Sequence, residues 1–345
     1  MPIDNPFVNL ETILTSEKLI EVVFNKAMKA MATGGVKGVS HTILIRRLES
    51  KRVETCAKLF REKLGKIISQ FPNFDDIEPF YLEMVELLIG KDELRKVLGS
   101  LQGSNNQIWK ILREHKSKIW HSVPRDAKKE RKAAFSRFAS IIMQLTSRLD
   151  ILNDLSIKLK NLPAIDFHNP IIVIAGYPNV GKSCFVQSIT KAKPEIANYP
   201  FTSKKVSIGH YHGRDNFKFL ICQVIDTPGL LDRPISERNE IEKRALAALK
   251  TLPNLIVYLF DPTRTDILKT QLNLYLELRN EFKNIPIIMV INKTDLCSDT
   301  MLESLIEEIN INFNVKPFAM ISALDKENIT KLMQEIISNY LIKSV

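Results

Sequence analysis

One stretch of eight residues limits what this chain can fold into more than any other: residues 176–183, with the sequence GYPNVGKS. It follows the apolar run Ile171–Ala175, which indicates a buried strand, and a helix is predicted over 182–193. The pattern G-x-x-x-x-G-K-[ST] is typical of a loop whose backbone N–H groups surround a polyphosphate. Its lysine, Lys182, would reach the outer phosphates, and Ser183 would hold a magnesium ion. A glycine-rich turn without a ligand is the weaker alternative, because the helix N-terminus points at the same place.

The apolar pattern divides the chain into two segments. Helical periods occur over 16–34, 40–71, 75–88, 92–121 and 124–162, with a weak point at Gly99 and at 103–106. No strand pattern occurs there, so residues 1–165 are predicted to form an all-α antiparallel helical bundle. Two prolines, Pro163 and Pro170, then interrupt the helical period and mark a domain boundary.

Beyond this boundary, short apolar runs alternate with helical patterns. Strands are predicted over 171–175, 205–211, 217–225, 255–260, 287–291 and 317–321, and helices over 182–193, 236–252, 270–282, 301–309 and 328–341. This alternation predicts that residues 166–345 form an α/β domain with a mostly parallel sheet and helices on both of its faces. Ligands of such sheets bind at the carboxyl ends of the strands.

Composition narrows the class of protein. The chain has 345 residues, of which 45% are hydrophobic and 26% charged, as is usual for globular proteins. It has no apolar run near the roughly 18 residues that a membrane span requires, and its first residues lack the basic and apolar pattern of a secretory signal. We therefore expect a cytoplasmic monomer without membrane contacts.

The excess positive charge lies in the first segment. Residues 1–165 contain 28 Lys and Arg against 19 Asp and Glu, whereas residues 166–345 contain 21 against 20. It is densest between Lys110 and Arg137, where ten basic residues accompany three acidic ones. Clustered cations can bind RNA phosphates by releasing counterions, but a solvated helix face has a similar composition. The charge pattern alone leaves both interpretations open.

A second phosphate-related motif follows the strand that ends at Ile225. In Asp226-Thr227-Pro228-Gly229, the carboxylate can hold magnesium through water. The N–H of Gly229 can contact the γ-phosphate and release the following segment after hydrolysis. D-x-x-G is a weak motif alone, but its position about fifty residues after a phosphate loop strengthens it.

The third motif, Asn292-Lys293-Thr294-Asp295, follows the strand that ends at Ile291. Asp295 can accept hydrogen bonds from N1–H and the exocyclic amine of guanine, a donor pair that adenine lacks. The motif therefore predicts GTP and GDP as ligands, with the Lys293 stem along the base. Backbone N–H groups at the end of the last strand would complete the base pocket, from Ser322, Ala323 and Leu324.

Residues 198–204 lie between the phosphate loop and the next strand, and we expect them to be mobile. One hydroxyl there, of Thr202 or Ser203, would close over the metal and the γ-phosphate. The predicted nucleotide-binding residues are Tyr177, Pro178, Asn179, Val180, Gly181, Lys182, Ser183, Cys184, Asp226, Gly229, Asn292, Lys293, Asp295, Ser322, Ala323 and Leu324. The predicted magnesium ligands are Ser183 and Asp226, with Thr202 or Ser203.

These motifs, in this order, resemble those of translation-factor-type GTPases. GYPNVGKS at 176–183, YPFT at 199–202, IGH at 208–210 and DTPGLLDRP at 226–234, followed by ERN at 237–239, are similar to the nucleolar GTP-binding protein 1 branch of Obg-like GTPases. Residues 71–81 and 162–166 are similar to the helical N-terminal domain of that family, so the resemblance covers almost the whole chain. It implies GTP-dependent assembly of the large ribosomal subunit with contacts to ribosomal RNA, and it favours the RNA interpretation of the basic residues.

The resemblance also bears on catalysis. Leu230 stands where many GTPases have a water-orienting glutamine, so slow intrinsic hydrolysis is expected. Asn179 resembles the asparagine by which related GTPases bind a potassium ion, although hydrogen bonds that shape the loop would explain it equally well. Ser203 aligns with the metal-binding threonine of the family, with Thr202 beside it. The catalytic candidates are Lys182, Asn179, Thr202, Ser203 and Gly229.

Two alternatives to this function stay open. Leu230 is also compatible with a nucleotide-gated scaffold that binds GTP with negligible turnover, and a GTPase of transfer-RNA modification would resemble the second domain but not the bundle. The chain ends at Val345, without the long basic extension of eukaryotic members, which predicts an archaeal homologue.

Overall fold

The computed structural model describes residues 5–31, 40–190, 194–198, 205–215 and 218–341. These residues form two compact units. The helical unit comprises Pro6–Ile77 and Leu88–Lys160, and the α/β unit comprises Glu78–Leu87 and the chain from Asn161 onward, together with Asn5. The helical unit is therefore interrupted in sequence by a short segment that belongs to the other unit.

The described residues before 161 form six α-helices. They are α1 (Ser16–Met28), α2 (His41–Gln70), α3 (Pro79–Leu88), α4 (Lys91–His121), α5 (Pro124–Met143) and α6 (Thr146–Lys160). None of the described residues in this part of the chain lies in a strand, which confirms the all-α prediction. Helix α2 begins after Ser40, whose hydroxyl accepts a hydrogen bond from the N–H of Ile43, and it ends just before Pro72.

The helix predicted over 92–121 is confirmed as α4, whereas the prediction for 124–162 was wrong in detail. Helix α4 continues through Gly99 and Gly103, because Leu101, Ser104 and Ile108 are buried along one face, and this packing offsets a cost of about 1 kcal/mol for each glycine. The predicted helix over 124–162 is divided in two at residues 144–145. There the hydroxyl of Thr146 donates to the carbonyl oxygen of Met143 at 2.7 Å, in competition with the helical backbone.

Aromatic rings fill the core of the helical unit. The ring centroid of Phe24 lies 4.7 Å from that of Phe135 and 6.0 Å from that of Phe60, and Phe60 also contacts Phe138. Edge-to-face and tilted arrangements of this kind are favourable for aromatic pairs. The first, second and fifth helices are thereby fixed against one another.

The described residues of the α/β unit contain one seven-stranded sheet. Its strands are β1 (Ile171–Ala175), β2 (Glu195–Asn198), β3 (Lys205–Asp215), β4 (Lys218–Asp226), β5 (Leu255–Phe260), β6 (Ile287–Ile291) and β7 (Ala319–Met320), in the order β2-β3-β4-β1-β5-β6-β7. The pairs of β1 with β4 and β5, of β5 with β6 and of β6 with β7 are parallel, whereas β2 and β3 run antiparallel to their neighbours. The prediction of a mostly parallel sheet is confirmed, although β2 was not predicted.

Five α-helices accompany this sheet in the part of the chain that the structure describes: α7 (Lys182–Ile189), α8 (Glu240–Leu249), α9 (Leu268–Glu281), α10 (Asp299–Phe313) and α11 (Lys326–Ile336). All residues of β1 and β5 are buried. Because the parallel strands point the same way, the segments after β1, β4, β5, β6 and β7 meet at one edge of the sheet. This edge positions the site described below.

Tyr81 attaches helix α3 to the α/β unit. The buried Tyr81 hydroxyl donates to the carbonyl oxygen of Pro163 at 2.9 Å and accepts from the N–H of Ile165 at 3.2 Å, and the ring contacts Phe167 edge-on. The helix therefore fixes the segment that leads into β1. None of the helices in the described ranges is both long and apolar enough to cross a membrane.

Candidate functional site

The loop between β1 and α7 has the backbone that its glycines predict. Gly176 has φ +139° and Gly181 has φ +100°, values that glycine adopts readily. A Cβ atom at Gly176 would collide with the carbonyl oxygen of Leu259 in β5, and one at Gly181 would collide with the amide nitrogen of Asn292. Both positions therefore require glycine for close packing as well as for backbone conformation.

Lys182 spans the same loop. Its Nζ donates to the carbonyl oxygen of Gly176 at 2.7 Å and to that of Tyr177 at 2.9 Å, and the residue is 8% exposed. The ammonium group is thus held inside the loop, where the phosphates of a nucleotide would lie. Its hydrogen bonds close the loop on itself in this structure.

Ser183 and Asp226 connect the loop to the end of β4. The hydroxyl of Ser183 donates to Oδ2 of Asp226 at 2.7 Å, and Asp226 is completely buried. The structure therefore brings together the two residues that the sequence predicts as magnesium ligands. Thr202 and Ser203, the other candidates, lie outside the described residues.

The segment after Asp226 turns back toward the phosphate loop. Gly229 has φ +87°, and its N–H donates to Oδ2 of Asp232 at 2.9 Å. Leu230 is completely buried, and the N–H of Gly176 donates to the carbonyl oxygen of Leu231. The side chain at the position of the missing glutamine is therefore directed into the protein interior.

A cavity of about 360 Å³ lies between the phosphate loop and this segment. It is lined by Pro178, Asn179, Gly181, Lys182, Ser183, Cys184, Asp226, Pro228 and Asp232. Seven of these nine residues were predicted as nucleotide-binding from the sequence; Pro228 and Asp232 were not.

Asn292 joins three loops from a buried position. Its Nδ2 donates to the carbonyl oxygen of Val180 at 2.8 Å, and its Oδ1 accepts from the N–H of Ala323 at 2.9 Å. Both ends of the amide are used inside the protein, so Asn292 ties the phosphate loop to the segment after β7. The sequence did not predict this bridging role.

Lys293 makes a second bridge. It has φ +59°, and its Nζ contacts Oδ2 of Asp261 and the carbonyl oxygen of Asn179. Asp261 is 1% exposed, and its Oδ1 accepts from both the N–H and the hydroxyl of Thr263. The buried amide of Gln271 fixes the backbone of Asp261 through two further hydrogen bonds.

The base-binding candidates differ in exposure. Asp295 is exposed and available to a ligand, whereas Ser322 and Ala323 are 8% and 6% exposed. Leu324 is 77% exposed, and its N–H donates to the hydroxyl of Ser322 at 3.4 Å. Among the residues of the third motif, Asp295 is therefore the one placed to recognise a base.

Three further residues of this site were not predicted from the sequence: Asp261, Asp232 and Arg238. Asp261 follows β5 at the same sheet edge as Asp226 and Asn292, and this position could have indicated it. Arg238 is 4% exposed, and burial lowers the pKa of its guanidinium group, although the charge of Asp232 acts in the opposite direction. Arg238 lies in the ERN segment at 237–239 that contributes to the family resemblance, but the sequence does not indicate that its side chain is buried.

The basic residues of the helical unit fall into two groups. Of the ten between Lys110 and Arg137, five form ion pairs: Lys116, Lys118, Lys129, Arg131 and Arg137. Hydrogen bonds lower the pKa of Glu114 to about 2, with the larger contribution from Lys118 and a smaller one from Arg137. This exposed cluster therefore stays paired at neutral pH.

The other five are exposed and have no acidic partner within the described ranges: Lys110, Arg113, Arg125, Lys128 and Lys132. Three of them, Arg125, Lys128 and Lys132, have the spacing of one face of α5. We call these three residues the α5 basic stripe. The guanidinium groups of Arg61 and Arg113 lie over the ring of Trp109, at 5.2 and 6.0 Å from its centroid.

Comparisons with known proteins divide the chain at nearly the same place. Residues 7–166 match the family model described as the NOG1 N-terminal helical domain, and residues 171–293 match the model described as a 50S ribosome-binding GTPase. The second match identifies a guanine-nucleotide-binding GTPase domain in this chain.

Three similar proteins extend over most of the chain. An uncharacterized protein of Methanocaldococcus jannaschii is 36% identical over 86% of this chain and 82% of its own length. Nucleolar GTP-binding protein 1 of Drosophila melanogaster is 31% identical over 95% of this chain and 51% of its own length, and that of Encephalitozoon cuniculi is 32% identical over 81% and 52%. The chain thus spans about half the length of these two eukaryotic relatives.

Proposed function

The chain belongs to the nucleolar GTP-binding protein 1 family of GTPases, and on this basis we propose that it acts as a GTP-hydrolysing switch in assembly of the large ribosomal subunit. GTP occupies the cavity at the sheet edge, and the helical unit contacts ribosomal RNA. The segments around 194–209 and 226–240 respond to the γ-phosphate and alter the affinity for RNA.

The convergence of Lys182, Ser183 and Asp226 around one cavity, with Gly229 next in sequence to the lining residue Pro228, is the observation that supports this proposal most. A cation, a hydroxyl, a carboxylate and a backbone N–H are the groups that a nucleotide triphosphate and its metal require. Asp295 is exposed in the segment after β6, which Asn292 and Lys293 join to the phosphate loop, and it supplies the acceptors that distinguish guanine from adenine.

Ser183 and Asp226 fit a magnesium ion. Their oxygen atoms lie 2.7 Å apart, and hydroxyl and carboxylate oxygens are the donors that Mg²⁺ prefers. Ser183 would hold the ion directly and Asp226 through water, with Thr202 or Ser203 as a further ligand. When bound, the ion neutralises charge on the β- and γ-phosphates.

Hydrolysis is slow in this proposal because no side chain orients the attacking water. Leu230 is apolar and buried, so the water must be positioned by backbone groups or by a partner. A potassium ion at Asn179 would add positive charge at the phosphates. The φ of +66° at Asn179, which asparagine tolerates, supports the loop-shaping explanation for this residue equally well.

Single-turnover hydrolysis of GTP tests the switch. We expect potassium, large ribosomal subunits or both to accelerate hydrolysis by at least about tenfold over sodium buffer alone, as charge supplied to the transition state does in other GTPases. Lys182→Ala is the inactive control, and Asn179→Ala identifies any part of the effect that depends on that side chain. No acceleration under any of these conditions would instead favour a nucleotide-gated scaffold.

Crosslinking identifies the RNA. With GTP or a non-hydrolysable analogue present, we expect ribosomal RNA of the large subunit to be recovered with the helical unit. Recovery of transfer RNA in its place would favour a GTPase that acts in transfer-RNA modification.

A further inference from the structure

Asp232 places a carboxylate inside the nucleotide cavity. Its Oδ2 accepts the hydrogen bond of the Gly229 N–H at 2.9 Å, and the residue is 4% exposed. The side chain also lines the cavity together with Lys182 and Ser183. An anionic group of this protein therefore already uses the backbone donor that the proposed function assigns to the γ-phosphate.

Asp232 and a γ-phosphate cannot share this donor. A backbone N–H offers one hydrogen, so it makes one good hydrogen bond. Two negative groups at the same place also repel each other, and the repulsion is strong where water is excluded. GDP has no γ-phosphate, so only GTP must displace the carboxylate.

We propose that Asp232 is a specificity-determining residue, which reduces the affinity for GTP relative to GDP as long as its carboxylate stays on Gly229. This inference rests on the proposed nucleotide site and concerns discrimination between its two ligands. Displacement of the carboxylate from Gly229 is then the event that reports the γ-phosphate to the rest of the segment.

Arg238 offers the displaced carboxylate a second partner. Its Nη2 donates to the carbonyl oxygen of Arg233 at 2.8 Å, whereas Nε and Nη1 have no hydrogen-bond acceptor among the residues that the structure describes. Buried guanidinium donors without acceptors are costly, and a carboxylate is the acceptor that satisfies them best. Burial lowers the pKa of Arg238, and the negative charge of Asp232 opposes this effect.

The nearby carboxylate of Glu242 is already used. Its Oε1 accepts from Arg233 at 2.6 Å and its Oε2 from the N–H of Asn239 at 3.1 Å, in the capping box of α8. Under this proposal Asp232 moves between two positions, the one on Gly229 that the structure shows and an alternative one on Arg238. A group with two discrete partners can act as a switch when a ligand competes for one of them.

Affinities for GDP and for a non-hydrolysable GTP analogue, measured by titration calorimetry, test this inference. For Asp232→Ala we expect the analogue to bind about tenfold more tightly, the value of one charged hydrogen bond, with GDP affinity within about twofold of wild type. Asp232→Asn keeps an acceptor but loses the charge, so a smaller gain in the same direction is expected. Glu237→Gln, an exposed charge loss in the same segment, should leave the ratio of the two affinities unchanged.

Arg238→Gln tests the second partner. It should lower the affinity for the analogue several-fold and leave the affinity for GDP unchanged. In the double variant with Asp232→Ala, this loss of affinity for the analogue should disappear. If Asp232→Ala does not fold, the comparison of Asp232→Asn with Glu237→Gln decides. If a folded Asp232 variant keeps the wild-type ratio of analogue affinity to GDP affinity, this inference is overturned but the proposed function is not. If the wild-type chain binds neither nucleotide, the proposed function is overturned.

Discussion

The ammonium nitrogen of Lys293 lies 2.6 Å from Oδ2 of Asp261 and 2.9 Å from the carbonyl oxygen of Asn179. One side chain thus joins the segment after β6 to the segment after β5 and to the phosphate loop. Since Asp261 is almost completely buried, its charge depends on Lys293 and Thr263 for compensation. The lysine of the third motif therefore has a role in the shape of the phosphate loop in addition to any contact with the base.

Asp261→Asn should weaken nucleotide binding indirectly, because Asp261 acts on the phosphate loop through Lys293. Loss of the charged hydrogen bond to Lys293 is expected to cost about 1.5–3 kcal/mol, seen in GDP affinity and in the free energy of unfolding. Asp266→Asn is the matched control, because its ion pair with Arg264 is exposed. Equal GDP affinities for the two variants would contradict the role given to Asp261.

Asp295→Asn should change base preference from guanine to xanthine. The substitution replaces an acceptor by a donor, and xanthine has a carbonyl where guanine has its exocyclic amine. We expect GTP affinity to fall by at least about a hundredfold, with xanthosine triphosphate bound more tightly than GTP. Unchanged GTP affinity in competition binding would eliminate Asp295 as the base-reading residue.

Lys182→Ala should abolish measurable nucleotide binding. Each charged hydrogen bond contributes about 1.5–3 kcal/mol, so loss of the ammonium predicts a decrease of about a hundredfold or more in GTP and GDP affinity. Circular dichroism establishes that the variant is folded. A folded variant with wild-type affinity would show that the loop around Lys182 is not a phosphate site.

Reversal of charge on the α5 basic stripe should lower RNA affinity. The double variant Lys128→Glu with Lys132→Glu removes two cations, so binding should weaken and the slope of log affinity against log salt should become less steep by about 2. The double variant Arg148→Glu with Lys158→Glu on α6 makes the same charge change at other exposed positions. Equal losses for the two double variants would indicate that total charge, rather than the stripe, determines binding.

Tyr81→Phe should destabilise the α/β unit. The hydroxyl bonds to Pro163 and Ile165 are both buried, and their loss is expected to cost about 1–3 kcal/mol in the free energy of unfolding, measured with urea. Tyr275→Phe serves as the control, since that buried ring makes no hydroxyl hydrogen bond to any described residue. A cost no larger than that of the control would remove Tyr81 as a link to the segment before β1.

The sheet and most of the site could be predicted because their signals are local. The bounds of β1, β5 and β6 agree with the sequence pattern, since buried parallel strands are short apolar runs between turn residues. The nucleotide motifs at 176–183, 226–229 and 292–295 follow these strands directly. Their order along the chain and the sheet topology together place them at one edge.

The relationships that were missed depend on packing between distant residues. The helix predicted over 92–121 is confirmed, but the buried face that carries α4 through Gly99 and Gly103 is not revealed by local propensity. Asp261 and Asp232 were missed because a single acidic residue after a strand or in a turn is common, and its partner Lys293 or Gly229 becomes apparent only in three dimensions. The ion pairs of five of the ten basic residues between Lys110 and Arg137 could likewise not be predicted from the charge pattern.

The position of α3 in the sequence affects how the protein is made. The acceptor of the Tyr81 hydroxyl, Pro163, is synthesised 82 residues later, after the whole of the helical unit. A nascent chain can therefore complete the helical unit while α3 still has no β1 segment to bind, with Phe80 and Tyr81 as unburied apolar surface. A fragment that begins at residue 161 lacks this helix permanently, so the smallest GTPase fragment expected to fold natively must also supply residues 78–87.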